Sequence, residues 1–394
     1  MDREPRPLAI AFAGLAALAV AMGIGRFAFT PILPMMQGDY GLSVAHGGWL
    51  ASANYAGYLA GALSAVWLGM SPAMMIRAGL VLIAVVTAGM GLTDSFPLWM
   101  ALRAAAGVAS AWVLVFVSVW SLDRLARYGR PMYGSIVFAG VGAGMALAGV
   151  ICLVLMRLGA ASPQAWLLLG VAALAITTMT WPVLGDRGTA RADAAGSPAA
   201  GRYRWTRDGV LIVACYGVFG FGYIIPATFV PAMAKEIVSD PAIFGWSWPL
   251  FGVAAMASTV GAARFLGAMS NRRVWVMCAL VMAIGVAAPA VYPGMTAIMV
   301  AAVCVGATFV VVTMVGMQEA RRVGAAHSRT LMAAMTASFA AGQVAGPLAV
   351  GWFASSGIGM NAALVGAAAL LVASAAAVAW SSLDERKTGE ALPE

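Results

Sequence analysis

Twelve runs of about 19 to 29 residues, each almost free of charged side chains, fill most of this 394-residue chain. A hydrocarbon layer about 30 Å thick takes about 20 apolar residues per helical crossing. The runs fall at 8–36, 44–70, 75–93, 97–122, 131–156, 164–184, 209–234, 242–269, 274–292, 294–318, 330–355 and 358–382. Few tracts between them exceed ten residues, whereas a β-barrel would show short alternating segments. Backbone in lipid must satisfy its own hydrogen bonds, so each run is predicted to be a helix. The expected fold class is all-α, a polytopic membrane protein of about 12 transmembrane helices. Composition agrees, with 62% apolar and only 10% charged residues, where a water-soluble chain carries about a quarter charged.

The basic residues set an orientation. Eighteen of the 23 Lys and Arg fall in segments on the side of the N-terminus, Arg77, Arg124, Arg127, Arg130, Arg272, Arg273, Arg321, Arg322 and Arg329 among them. Only Arg157 and Lys235 fall on the other side, while Arg26, Arg103 and Arg264 lie inside spans. Positive loops stay in the cytoplasm, so both termini are expected there. The net charge of +8 is thereby explained as topology, and no nucleic-acid partner is implied. The first run is longer than a signal-peptide core and has no cleavage site after it, so this helix is expected to be retained. Cys152, Cys215, Cys278 and Cys304 all fall within spans, and no disulfide is predicted.

One long polar tract, 185–208, divides the spans six and six and reads as a flexible cytoplasmic linker. The expected domains are 1–184, a six-helix bundle, and 209–394, a second bundle with a short tail. Sliding the second half by 197 positions lays GIGRFAFTPILP on GFGYIIPATFVP, so that Gly23, Gly25 and Pro34 meet Gly220, Gly222 and Pro231. Trp49 meets Trp246 at the same offset. Two homologous six-helix halves are the simplest explanation of that repeat.

These residues resemble the major facilitator superfamily over the whole chain, and specifically its bacterial YbfB/YjiJ-like branch. GIGRFAFTPILPMM and GLSVAHGGWLASANYAGYLAGAL look like that branch's signature. Arg103-Ala-Ala-Ala-Gly107 is similar to the superfamily's RxxQG motif, with Ala106 in place of Gln. Gly267 to Arg273 is similar to its GxxxDR loop motif with Asn271 for Asp, and the counterpart from Gly69 to Arg77 lacks the Asp as well. The resemblance implies a transporter of the bacterial inner membrane whose helices 1, 4, 7 and 10 line a central cavity. It leaves the solute open.

Small residues four apart recur as Gly140 and Gly144 in the fifth run, answered by Gly342, Gly346 and Pro347 in the eleventh. They let helix backbones approach closely, either as static packing or as a pivot between the halves. All fifteen acidic residues lie at or beyond the ends of spans. Asp123 and Glu319 are expected to form gate or loop pairs with the neighbouring Arg124, Arg127 and Arg130, or Arg321 and Arg322.

Arg26 lies about eighteen residues into the first run, near the bilayer centre. A charge there costs several kcal/mol unless a cavity or partner receives it, which makes it a functional-site candidate. The repeat sets Tyr223 opposite it. With no carboxylate inside the spans, the solute itself is the expected counter-ion, through a bidentate carboxylate or phosphate contact. The competing reading is a structural arginine, bonded to carbonyls or stacked on a ring. Asn54 and Tyr58, one turn apart, suit solute hydrogen bonding. Arg103, Trp112, Trp246, Trp248 and Gln343 complete the candidate site, Arg103 with the option of snorkelling to the interface.

The expected function is therefore secondary transport of a small organic solute, of anionic character, by alternating access. The alternatives are a proton-coupled exporter, a Cu(I) carrier using Met314, Met317, Met332 and Met335, or a non-transporting sensor. No catalytic, metal or cofactor constellation is visible, since His46 and His327 lie near opposite faces. The expected partners are the solute, a coupling proton and the lipid bilayer, with the chain acting as a monomer.

Overall fold

The computed structural model describes residues 6–185, 203–237, 241–292, 294–355 and 360–388. The expected linker lies mostly outside them, at 186–202. Twelve long helices follow in chain order: α1 Pro7–Tyr40, α2 Val44–Ser64, α3 Pro72–Met90, α4 Phe96–Arg127, α5 Gly134–Arg157 and α6 Ser162–Thr180 in the first half. The second half holds α7 Arg207–Ile237, α8 Pro241–Phe265, α9 Asn271–Val291, α10 Met295–Gly324, α11 Ser328–Ser355 and α12 Met360–Thr388.

Nine segments among the described residues are long and apolar enough to cross a membrane, one of them carrying both α10 and α11. The helix α2 is not among them because it spends positions on Asn54, Tyr55, Tyr58 and His46. Asn54 and Tyr58 are fully buried, so this polarity points into the bundle and not toward lipid. Apolar side chains such as Val85, Val171, Met179, Ile284 and Trp380 are exposed instead. That inversion is what a protein dissolved in hydrocarbon needs.

The helix ends follow local chemistry. Ser43 and Ser71 cap α2 and α3 by accepting from the backbone N–H of His46 and Met74. Gly41 ends α1 in the left-handed region at φ 63°, where a side chain would be strained. The carboxylate of Asp39 accepts from the Ser162 N–H at 2.5 Å, placing negative charge at the start of α6. Real helices outrun the hydropathy windows at several ends: α1 continues to Tyr40, α4 to Arg127 and α10 to Gly324, while α2 stops at Ser64. Helices cross the interface with polar ends, which a hydropathy window trims.

Glycines set which helices touch. A Cβ on Gly140 or Gly144 would collide with the α1 carbonyls of Leu15 and Ala19. A Cβ on Gly342 would meet Gly217 on α7, and one on Gly346 would meet Ile224. The two motifs thus do the same task in each half, seating α5 on α1 and α11 on α7. Pro347 lies within α11, but its side chain is outside the described ones. A different face of α5 meets the other half: Gly142 lies against Gly252 and Met256 of α8, and Gly149 against Pro249.

The ends of α2, α4, α8 and α10 and the starts of α1, α3, α7, α9 and α11 share one face, here termed the basic face. Two ion-pair systems sit there. Arg272 at the start of α9 pairs with Glu319 of α10 at 2.6 Å and with Asp208 of α7 at 2.5 Å, and donates to Ser381 of α12. Arg322 also reaches Glu319, at 2.7 Å. Asp123 pairs instead across the halves with Arg321, at 2.6 Å. Glu319 takes Arg322, three residues on, as expected, but also the distant Arg272; for Asp123 the expectation is corrected, since it pairs with Arg321 of the other half. Arg130 is exposed on the turn after α4. Arg329 of α11 donates to the carbonyls of Ala65 and Leu68 and lies 4.6 Å from the Phe116 ring, closing the end of α2 from the other half.

Candidate solute site between the halves

The middle of α1 is not an ordinary helix. Ala19–Phe27 is π-helical. Gly23 there lies against the backbone of Gly144, and Gly25 against the Ser110 hydroxyl. A π stretch shifts hydrogen bonds from i→i−4 to i→i−5, which leaves carbonyls in need of other donors and is frequent at functional sites. Three side chains supply them. Ser110 donates to the Ala21 carbonyl at 2.8 Å. Asn54 donates to the carbonyls of Arg103 at 2.9 Å and of Gly25 at 3.4 Å. Arg103 donates to Gly25 at 3.3 Å and to Arg26 at 3.2 Å, and lies 4.7 Å from the Phe29 ring.

Arg103 therefore does not snorkel. It is 3% exposed, and its guanidinium is committed to α1 because the π stretch provides carbonyls close by. Asn54 is likewise spent on backbone, except for its Oδ1, which has no partner among the described residues. Both residues hold the π-helical part of α1 in place.

What they hold is Arg26. This side chain is also 3% exposed. Its Nη2 donates to the amide oxygen of Gln343 at 2.5 Å, a bond that joins α1 to α11 across the two halves. The guanidinium carbon lies 3.9 Å from the Tyr58 ring centroid, 5.3 Å from Phe27 and 5.8 Å from Tyr55. No acidic partner reaches Arg26 among the described residues, and its Nε and Nη1 have no hydrogen-bond acceptor there. The stacking that the structural reading required is present, yet it leaves two of the cation's donor directions unmet.

The facing half brings rings. Tyr223 stacks on Phe309 at 5.3 Å and 9°, and on Phe339 at 5.7 Å and 15°. Its hydroxyl is buried and has no hydrogen-bond partner among the described residues. Trp248 stacks on Phe251 at 5.5 Å and 8°. Phe27 touches both groups, Phe309 at 6.0 Å and Trp248 at 6.3 Å. Arg26, Tyr58, Tyr223, Gln343 and Trp248 are thus gathered where the halves meet. Trp112 stays within the first half, donating to Ser64 at 2.9 Å. Trp246 is 46% exposed and lies 5.9 Å from Arg157 at the face opposite the basic one, away from this group.

Sequence reasoning missed Phe27, Phe309, Phe339 and Tyr55. A signal existed for the cluster on α7, because Tyr216, Phe219 and Tyr223 repeat at i, i+3 and i+7 on one face. Tyr216 and Phe219 do stack, at 5.3 Å. For Phe309, inside a run of valines, no local signal distinguishes it from lipid-facing filler.

Among solved structures, the chain is similar to the human organic anion transporter MFSD10 (TETRAN). The TM-score is 0.72 and the identity 14%, covering 95% of this chain and 100% of that one. At that identity the likeness speaks for the fold alone. No curated protein matches the chain in sequence. The family model described as the uncharacterised MFS-type transporter YbfB matches residues 18–379. With that match spanning nearly the whole chain, the protein belongs to the YbfB-type family of the major facilitator superfamily, a multi-pass membrane transporter and not an enzyme.

Proposed function

We propose that this transporter moves a small organic anion, bearing a carboxylate, by alternating access across the bacterial inner membrane, with both termini in the cytoplasm. The observation that carries the reading is Arg26: a buried guanidinium between the halves, with two donor directions unmet and no acid beside it among the described residues. A carboxylate accepts a planar pair of N–H bonds, which is the geometry a guanidinium presents. Gln343 supplies a neutral oxygen to the same cation from the other half. An arriving anion competes with that oxygen, so solute binding acts on a bond that holds the halves together. The organic anion named for MFSD10 is consistent with this chemistry.

The test is binding to Arg26→Gln and Arg26→Lys, measured by calorimetry in nanodiscs against a panel of organic acids and amines. Removing one partner of a buried charge pair costs about 2–5 kcal/mol, or roughly 30-fold to several thousand-fold in affinity. Gln is expected to lose that much for acids, and Lys to restore only part, lacking the fork. Normal acid binding by a folded Arg26→Gln protein, or a native solute that is a cation, would overturn the reading. For orientation, reporters fused after residues 195 and 390 are expected to read cytoplasmic and one within 37–43 periplasmic. The tract 185–208 is expected to tolerate cleavage with transport retained, as a linker between two halves.

A further inference from the structure

We infer that the solute is an aromatic carboxylate, its acid group on Arg26 and its ring in the seam between Phe27, Phe309 and Trp248. This rests on the anion reading and goes beyond it to the body of the molecule carried. Phe27 directly follows Arg26 on α1, so a group that engages the guanidinium has the Phe27 ring beside it. Phe27 belongs to the first half, and the rings it touches, Phe309 on α10 and Trp248 on α8, belong to the second. These are contacts that cross the plane along which the halves must part.

Parting them to admit a solute breaks the edge-on contact of Phe27 with Phe309, at 79°, and the tilted contact with Trp248, at 55°. The rings behind stay organised within their own half. Phe309 remains stacked on Tyr223, and Trp248 on Phe251. The opened seam therefore presents ring surface already oriented on both sides. A saturated solute of the same size restores the buried area but not the quadrupolar ring contacts, whereas an aromatic one restores both. The indole N–H of Trp248 adds a second pointer: it is buried and has no acceptor among the described residues, which suits a ring carrying a hydroxyl, carbonyl or ring nitrogen.

The experiment is calorimetry on the full-length protein in lipid nanodiscs with matched probes. These are 2-naphthoate against its fully saturated decalin carboxylate, benzoate against cyclohexanecarboxylate for a tighter site, and 2-naphthylmethylammonium as the cationic control. Two ring contacts regained are expected to favour the aromatic acid of at least one pair by about five-fold to about a hundred-fold. Phe309→Leu is expected to cut that ratio to about two-fold to about ten-fold, the contribution of one ring contact, and Arg26→Gln to lose both acids of the pair. Equal affinity for the aromatic and saturated acids, or a preference for the saturated one, overturns the inference and leaves the anion reading standing. Binding of the naphthyl amine without either acid overturns both. Failure of all the probes to bind overturns the inference as well. The wild-type ratio decides the matter even if Phe309→Leu does not fold.

Discussion

The two halves of this transporter share a backbone plan and oppose each other in chemistry. On the first half, α1 and α2 bring Arg26 and Tyr58 to the seam, with Arg103 and Asn54 behind them bonded to the backbone of α1. On the second, α7, α8, α10 and α11 bring Tyr223, Trp248, Phe251, Phe309 and Phe339, with Gln343 as the polar contact to Arg26. Glycines keep the plan: Gly23 and Gly144 on one side do what Gly220 and Gly342 do on the other. Close helix contacts depend on small residues at fixed spacing and survive duplication. Side chains at the seam are free of that constraint and have diverged into a charged wall and an aromatic one.

The basic face repeats this contrast. An offset of 196 residues lays Asp123 on Glu319, yet the first is about half exposed and paired across the halves, and the second is buried and paired within its own. Glu319→Gln is expected to have the largest effect outside the seam. Arg272 is 3% exposed and would lose its ion pair with Glu319, as would Arg322. Breaking a buried pair costs about 3–5 kcal/mol. Thermal unfolding in detergent is expected to show a clear loss of stability in that variant, which Glu319→Asp recovers in part. An unchanged melting curve would mean that Arg272 is satisfied without Glu319.

How much of this was readable beforehand depended on range. The all-helical class and the burial of Arg26 rest on hydropathy and charge, both properties of the chain in one dimension. The π stretch at Ala19–Phe27 was not readable, and the residues packed against it, Gly144 and Ser110, lie more than eighty residues away. Arg103 was placed in the right region and given the wrong freedom, since it is bonded to the carbonyls of Gly25 and Arg26 on a different helix. Gln343 was named for its polarity within an apolar run, while its bond to Arg26 is visible only in three dimensions. The pairing of Glu319 with Arg272, 47 positions apart, was hidden by nearer arginines.

A smaller effect separates the two faces of α5. Gly144 packs on α1 inside the first half, and Gly142 packs on α8 across the seam. Alanine at either overpacks a backbone contact, for about 1–3 kcal/mol. At Gly144 the loss is expected in unfolding, with little change in the distance between halves. At Gly142 it is expected in the equilibrium between conformations, read as a longer distance between spin labels on α5 and α8. If both variants lower stability alike and neither moves the labels, the seam between α5 and α8 does not open during transport.

The smallest effect is expected at Asp123, and its size bears most directly on how the halves separate. The ion pair with Arg321 joins α4 to α10, so it contributes to the closed basic face and not to the fold of either bundle. Its carboxylate and guanidinium are 45% and 40% exposed. Exposed pairs contribute about 0.2–1 kcal/mol, so Asp123→Asn is expected to raise the population open at the basic face by roughly 1.4-fold to five-fold. Salt should mimic the variant, because at about 1 M the screening length falls to about 3 Å. Arg329, bonded to the carbonyls of Ala65 and Leu68 and stacked on Phe116, remains to hold the face in either case. Carbonyls carry no net charge, so that second contact is expected to be nearly indifferent to salt. Distance distributions between labels on α4 and α10 at low and high salt, with and without Asp123→Asn, separate the two contributions. A variant that opens the face almost completely would show that the exposed pair, and not Arg329, is what closes it, and the contrast drawn between Asp123 and Glu319 would fail.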